Sequence, residues 1–136
     1  MSNLAGFSEL PHTADVCIRI WGPDINSLFV QGAQGLFYLV QPEGISDTSI
    51  DIPIKIEGGD LETLLVGFLS LLLYWLEVDK LICSNPNIKY ENGKITGSIT
   101  CHYCEMISRQ IKAVTFHDLN IRETSNGYVA EIVFDV

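Results

Sequence analysis

Residues 49–77 read SIDIPIKIEGGDLETLLVGFLSLLLYWLE, and this stretch decides the fold. Its first nine residues alternate strictly, with Ile50, Ile52, Ile54 and Ile56 on one side, which is the period of a strand with one buried face. Pro53 lacks an N–H for a ladder and so predicts an edge position. Gly58-Gly59 interrupts the run, and Asp60 follows as an N-cap. The next 17 residues, 61–77, are apolar almost all round, which predicts a buried central helix. The uncharged run Thr63–Leu76 is 14 residues long, short of the roughly 20 that span a bilayer. Asp60, Glu62, Glu77 and Asp79 close it at both ends, so a core helix is expected and no membrane contact.

The same strand-then-helix order precedes this stretch. Val16, Ile18 and Ile20 alternate with Cys17, Arg19 and Trp21, predicting a half-buried strand over 15–21. Pro23-Asp24 is a helix start, and apolar residues at 25, 28, 29, 33, 36, 37 and 40 predict an amphipathic helix over 25–40. Gly32 and Gly35 each weaken it by about 1 kcal/mol relative to Ala. Residues 41–47 read as a connection. After the second helix the chain has β character, with strands expected at 80–90, 94–103, 111–118, 119–124 and 128–135. Asn92-Gly93 and Asn126-Gly127 mark hairpin turns. Helices in the first part and a run of antiparallel strands in the second predict an α+β fold: two helices packed on mostly antiparallel sheet.

Composition narrows the function. The 136 residues are 47% hydrophobic, enough for one domain with a sizeable core. Seventeen acids against eight bases give a net charge of −9. Affinity for nucleic acid rests on Lys and Arg neutralising phosphates, so direct nucleic-acid binding is not expected. Such a surface suits basic protein partners and hard cations. The N-terminus lacks the charged and apolar regions of a secretory signal, and four cysteines are too few for a disulfide framework, so a reducing cytoplasm is expected.

Several residues can carry chemistry. Pro11-His12-Thr13-Ala14-Asp15 sets a polar cluster directly before a strand. The sequence closes on Phe134-Asp135-Val136, an apolar strand ending in an aspartate and the α-carboxylate of its last residue. A third carboxylate would complete an oxygen-donor site for a hard cation, and Asp15 is the candidate. Spacing does not show which carboxylates converge, and solvated faces or an Asp15–Arg19 pair would explain the same residues. Lys112 alternates with Val114 and Phe116, so it must snorkel or pair if it shares their face. His117 reads as a hydrogen-bonded residue at a strand end. Cys101-His102-Tyr103-Cys104 has C-x-x-C spacing, but no second ligand pair follows for zinc, and no helix follows for thiol exchange. Small strand residues are the simpler reading. No P-loop, nucleophile elbow, G-x-G-x-x-G or H-E-x-x-H occurs, so an enzyme of a common class is not visible.

Four separated segments, LPHTADVCIRIWG (10–22), DLETLLVGFLSLLLY (60–74), IKAVTFH (111–117) and VFDV (133–136), together resemble the archease family, in its order and near its length. The resemblance implies a single archease-like domain over 1–136 and a protein cofactor rather than an enzyme. Its partner would be an RtcB-type RNA ligase of tRNA splicing or RNA repair, whose guanylylation and multiple turnover it promotes. It implies a divalent metal site (Ca, Mg or Mn) at Asp15, Asp135 and Val136, with His12 and Lys112 as activation or partner-contact residues. Three departures stand out. Cys17 occupies a position where the family commonly has Gly, residues 101–110 lack the usual Gly-Glu, with Glu105 after Cys104, and Val136 replaces Ile. The rival readings are a free-standing metal-dependent hydrolase or transferase built on the same carboxylates, and a thiol or zinc module at Cys101 and Cys104.

Overall fold

A computed structural model describes residues 4–136. In chain order the elements are β1 (Gly6–Leu10), β2 (Val16–Gly22), α1 (Ile25–Val40), β3 (Pro42–Glu43), β4 (Ser49–Glu57) and α2 (Leu61–Asp79). There follow β5 (Leu81–Glu91), β6 (Lys94–Tyr103), β7 (Met106–Ile107), β8 (Ala113–Val114), β9 (Arg122–Thr124) and β10 (Gly127–Asp135). One sheet runs β1-β2-β10-β8, with β9 also on β10, and every pairing in it is antiparallel. A second antiparallel sheet runs β4-β6-β5, and β3 pairs with β7 as a short ribbon. The α+β expectation of two helices on mostly antiparallel sheet is met.

Both helices start where the sequence places them. Asp24 accepts the Ser27 N–H at 2.7 Å, and Ser27 Oγ accepts the Asp24 N–H at 3.2 Å, a reciprocal cap. Asp60 accepts the Thr63 N–H at 2.7 Å. α1 lies across both sheets, against β1 and β2 on one and β5 on the other, and α2 closes the core over β4, β5, β6 and β8. Gly35 makes α1's approach possible. A Cβ there would come within 2.7 Å of Ile18 Cδ1. The glycine that weakens the isolated helix is thus what lets it seat on β2. The core between these layers holds Ile18, Ile20, Phe29, Phe68, Ile99 and Phe134, all fully buried. Phe29 and Phe68 join the two helices, ring centroids 5.7 Å apart.

β4 is an edge strand, as Pro53 requires. The differences from expectation have local causes. α2 runs two residues further, to Asp79, before Lys80 turns into the left-handed region at φ 59°. It is also not buried all round, because Tyr74 (57%) and Val78 (56%) are exposed. By length and composition this 19-residue helix could cross a membrane, but its Leu and Phe side chains pack in this core. The strand expected at 111–118 shrinks to Ala113–Val114. Thr115 bonds Val133 O through both its N–H (3.0 Å) and its hydroxyl (2.9 Å), after which a turn closes from Leu119 N to Phe116 O. The strand expected at 119–124 shrinks to Arg122–Thr124, because Leu119 and Ile121 pack on the core and the Ile121 N–H is taken by Glu62. β1 was not anticipated. Its Gly6-Phe7-Ser8-Glu9-Leu10 pattern is too mixed to read alone, and β2 organises it. The two-residue strands β3 and β7 carry no periodic signal at all.

Candidate functional site

The site is built by one register. In β2 and β10 the core-facing residues are Val16, Ile18 and Ile20 opposite Phe134, Ile132 and Ala130. The last pair of this ladder is Val16 with Phe134. Asp15 immediately precedes that pair and Asp135 immediately follows it, so the antiparallel arrangement brings both to the same end of the sheet. By the period of two, Asp135 at the end of β10 falls on the face opposite the core, one row beyond the neighbours Cys17 and Val133, and Asp15 lies in the bend just before β2. Those two are 5% exposed, so an apolar row underlies the exposed acids. Asp15 is partly exposed and Asp135 exposed.

The neighbours follow from the same ladder. On the other side of β10, Asp135 pairs with Ala113, and its carbonyl accepts the Lys112 N–H at 2.8 Å. Lys112 is therefore held at this end by its backbone. Its side chain is exposed and, among the described residues, has no carboxylate within 4 Å. Val114 is buried and Phe116 is 57% exposed, so the shared face read from alternation does not exist once β8 stops at residue 114. His12 stands near the tip, Nδ1 3.9 Å from Asp15 Oδ2, a spacing of attraction rather than a hydrogen bond.

The Asp15–Arg19 pair is not formed. Arg19 Nε donates to Glu131 at 3.1 Å, and Arg122 donates to both Glu131 oxygens at 2.9 Å. Bonding to Arg122 and then Arg19 holds Glu131 below the usual carboxylate range. This network lies two positions from the tip on the same face, leaving Asp15 and Asp135 without an arginine. Sequence reading missed Glu131, although its opposite parity from the core residues of β10 was the available signal.

The tip's fit to a cation is a question of donors. Among the described residues, no three His, Cys, Asp or Glu side chains come together to hold a metal ion. Asp15 and Asp135 supply two carboxylate side chains, and the third donor of the expected set is a main-chain carboxylate on Val136, which is 45% exposed. An all-oxygen, solvent-facing set matches Ca, Mg or Mn rather than a soft or imidazole-preferring metal.

The thiol reading fails on burial. Cys101 is fully buried on the core face of β6, and its cross-strand partner is Cys83, not Cys104. A hydrogen bond to Cys101 and burial push the Cys83 thiol well up, and burial raises Cys104. All four cysteines are free and buried. The same hydrogen bond from Cys83 lowers Cys101, but that thiol is fully buried, and thiols closed inside a core reach neither a substrate nor a zinc ion. His117 is exposed. Its backbone N–H is bonded to Thr115 Oγ1, and its ring lies 3.2 Å from Asp118. Glu105 has its N–H on the carbonyls of Glu43 and Gly44, which ties the segment after β6 to β3.

Comparison with known proteins agrees with this architecture. The family model described as the archease protein family matches residues 7–136. A protein named archease from Methanosarcina barkeri is 35% identical, covering 96% of this chain and 95% of its own length. One from Pyrococcus furiosus is 31% identical over 92% and 94%. The solution structure of Methanobacterium thermoautotrophicum protein 1598 superposes with a TM-score of 0.72 at 22% identity, over 96% and 99% of the two chains. The crystal structure of an archease from Thermotoga maritima, described as a possible chaperone, superposes with a TM-score of 0.69 at 20% identity, over 93% and 94%.

Proposed function

We propose, from the premise that this chain belongs to the archease family, that it activates an RtcB-type RNA ligase in tRNA splicing or RNA repair. It would raise the rate of ligase guanylylation and sustain multiple turnover, working in the cytoplasm. The observation that supports the reading is the register of β2 on β10, whose last pair has Asp15 just before it and Asp135 just after it, at one exposed end of the sheet. Asp15, Asp135 and the Val136 carboxylate would hold a divalent cation there. When bound, the cation supplies positive charge against phosphate oxygens and a template for their orientation.

The chain's own residues do the rest. The Val16–Phe134 pair, anchored by fully buried Phe134, fixes the backbone from which the two aspartates extend. The apolar row of Cys17 and Val133 keeps the acids facing outward. His12 and Lys112 flank them, as contacts to the partner. Lys112 lends the opposite sign beside an acidic tip, suited to a phosphate or carboxylate arriving with the partner. No general base belongs to this chain in the scheme, because the covalent step is made on the ligase. An acidic protein can do this work, since it meets the ligase and not the RNA backbone.

The test is labelling of the cognate ligase with radioactive GTP and Mn²⁺, with and without sub-stoichiometric amounts of this chain. Faster labelling that disappears with Asp15→Ala and with Asp135→Ala is the expected result. Labelling indifferent to the wild-type chain would refute the function. Full stimulation by both variants would refute the site.

A further inference from the structure

A hollow of about 420 Å³ opens beside the tip, between the last turns of α2 and the segment 104–112. Its floor is apolar, made by Leu73, Leu76, Ile107 and Ile111. Lys80 and Lys112 border it, so it adjoins the tip through Lys112. We propose that it docks a segment of the partner protein that carries an apolar side chain next to an acidic one. The proposal rests on the reading that this chain acts on a partner protein, and it names the recognition chemistry that reading leaves open.

The charge pattern carries the argument. Six of the eight basic side chains have a carboxylate within 4 Å. The two that have none among the described residues are Lys80 and Lys112, and both border this one hollow. With 17 acids for eight bases, unpaired carboxylates are forced by arithmetic, whereas unpaired lysines are not. Among the described residues Lys80 Nζ donates only to the Glu77 carbonyl, at 3.4 Å. Two cations over an apolar floor are complementary to a ligand that is apolar with an acidic neighbour.

The surroundings favour a peptide over a free anion. Glu77 and Glu105 also border the hollow, and a multivalent anion would meet both. A peptide sets one acid at the lysines and keeps the rest of its surface neutral. Met106 is 57% exposed at the rim, a flexible thioether of the kind that moulds to a partner. Tyr74 and Val78, outside the lining of the hollow, are exposed on the same last turns of α2 and add apolar surface to that end of the helix. Tyr and Met are both enriched at protein interfaces.

The experiment measures the Kd of the purified cognate ligase for the full chain by interferometry. Met106→Glu and Lys80→Glu are expected to raise Kd by about tenfold or more, as loss of a buried anchor does. Lys55→Glu, on β4 away from both sites, serves as the control and is expected to leave it unchanged. Circular dichroism and melting confirm that each variant is folded. A photo-crosslinker at Met106 is expected to capture a ligase peptide with Asp or Glu beside an apolar residue. Tight wild-type binding that neither variant weakens would overturn the groove while leaving the function standing. No wild-type binding would remove both. A captured peptide without an acid, or inorganic phosphate alone occupying Lys80 and Lys112 in NMR titration, would overturn the stated chemistry.

Discussion

Replacing Asp15 by Asn is expected to stabilise the cation-free protein and to abolish its stabilisation by cation. The two signs come from one geometry. Asp15 and Asp135 flank the last pair of the β2–β10 ladder, and no arginine reaches them, because Arg19 and Arg122 are both bonded to Glu131. Opposite residues in an antiparallel pair have Cβ atoms up to about 5.5 Å apart, and carboxylates one position past the last pair are of that order apart. Two unit charges at that spacing repel by about 0.8 kcal/mol in water and about 1.5 kcal/mol at half its dielectric. Removing one charge therefore relieves about 1 kcal/mol, which is roughly 3 °C in Tm for a domain of this size. A cation a hundredfold above its Kd stabilises the wild type by about 2.7 kcal/mol, roughly 8 °C, and leaves the variant almost unmoved. The assay is thermal unfolding at low ionic strength, with chelator and then with Ca²⁺, Mg²⁺ or Mn²⁺ in turn up to about 10 mM, above the range of weak extracellular-type calcium sites. A variant that melts below wild type in chelator would show that the aspartates do not share a field. A wild type indifferent to all three ions would remove the cation site.

Other outcomes follow from the same structure. In the native protein the four buried thiols are expected to react with Ellman's reagent only as fast as the protein unfolds, with full reactivity in denaturant. Cys101→Ala with Cys104→Ala should lower Tm yet keep ligase stimulation. Glu131 titrates below its ordinary value of 4.5 in the folded state, so its contribution is complete above that pH and is lost as pH falls through the lower folded value. Denaturant titrations between pH 5 and pH 3 should therefore show Glu131→Gln losing less stability on acidification than wild type, by about 1 kcal/mol at most for so exposed a network. Gly127 has φ 137°, and a Cβ there would strike the Gly22 carbonyl and Pro23 Cα. Gly127→Ala is expected to cost more than about 2 kcal/mol by urea unfolding, whereas Gly59→Ala, with open space around it, should cost little.

Much of the fold was legible because its signals are local. Asp24 and Asp60 announce helix starts through bonds that reach only three residues along the chain. The isoleucines of β4 and β2 announce strands through a period of two that any one-sided burial imposes. What stayed illegible depended on partners far away in sequence. β1 exists because β2 offers it a ladder, and 111–124 breaks into two short strands because Thr115 and Ile121 bond to Val133 and Glu62. The parity of Tyr74 and Val78 gave no hint of exposure, since an apolar helix does not say which face its neighbours leave uncovered.

The candidate site divides in the same way. The sequence by itself determined its chemistry: carboxylates before one strand and at the end of another, a C-x-x-C in strand context, and a charge that argues against nucleic acid. Only the tertiary structure decided which groups meet. It joined Asp15 to Asp135 across 120 residues of chain by a one-register choice, since a slip of one would turn either acid to the other face. It gave Arg19 to Glu131 rather than Asp15, sealed the thiols in the core, and put Lys80 and Lys112 on the border of one hollow. Residue type is a property of the chain. Proximity between distant residues arises when burial of the core fixes one register and excludes the rest.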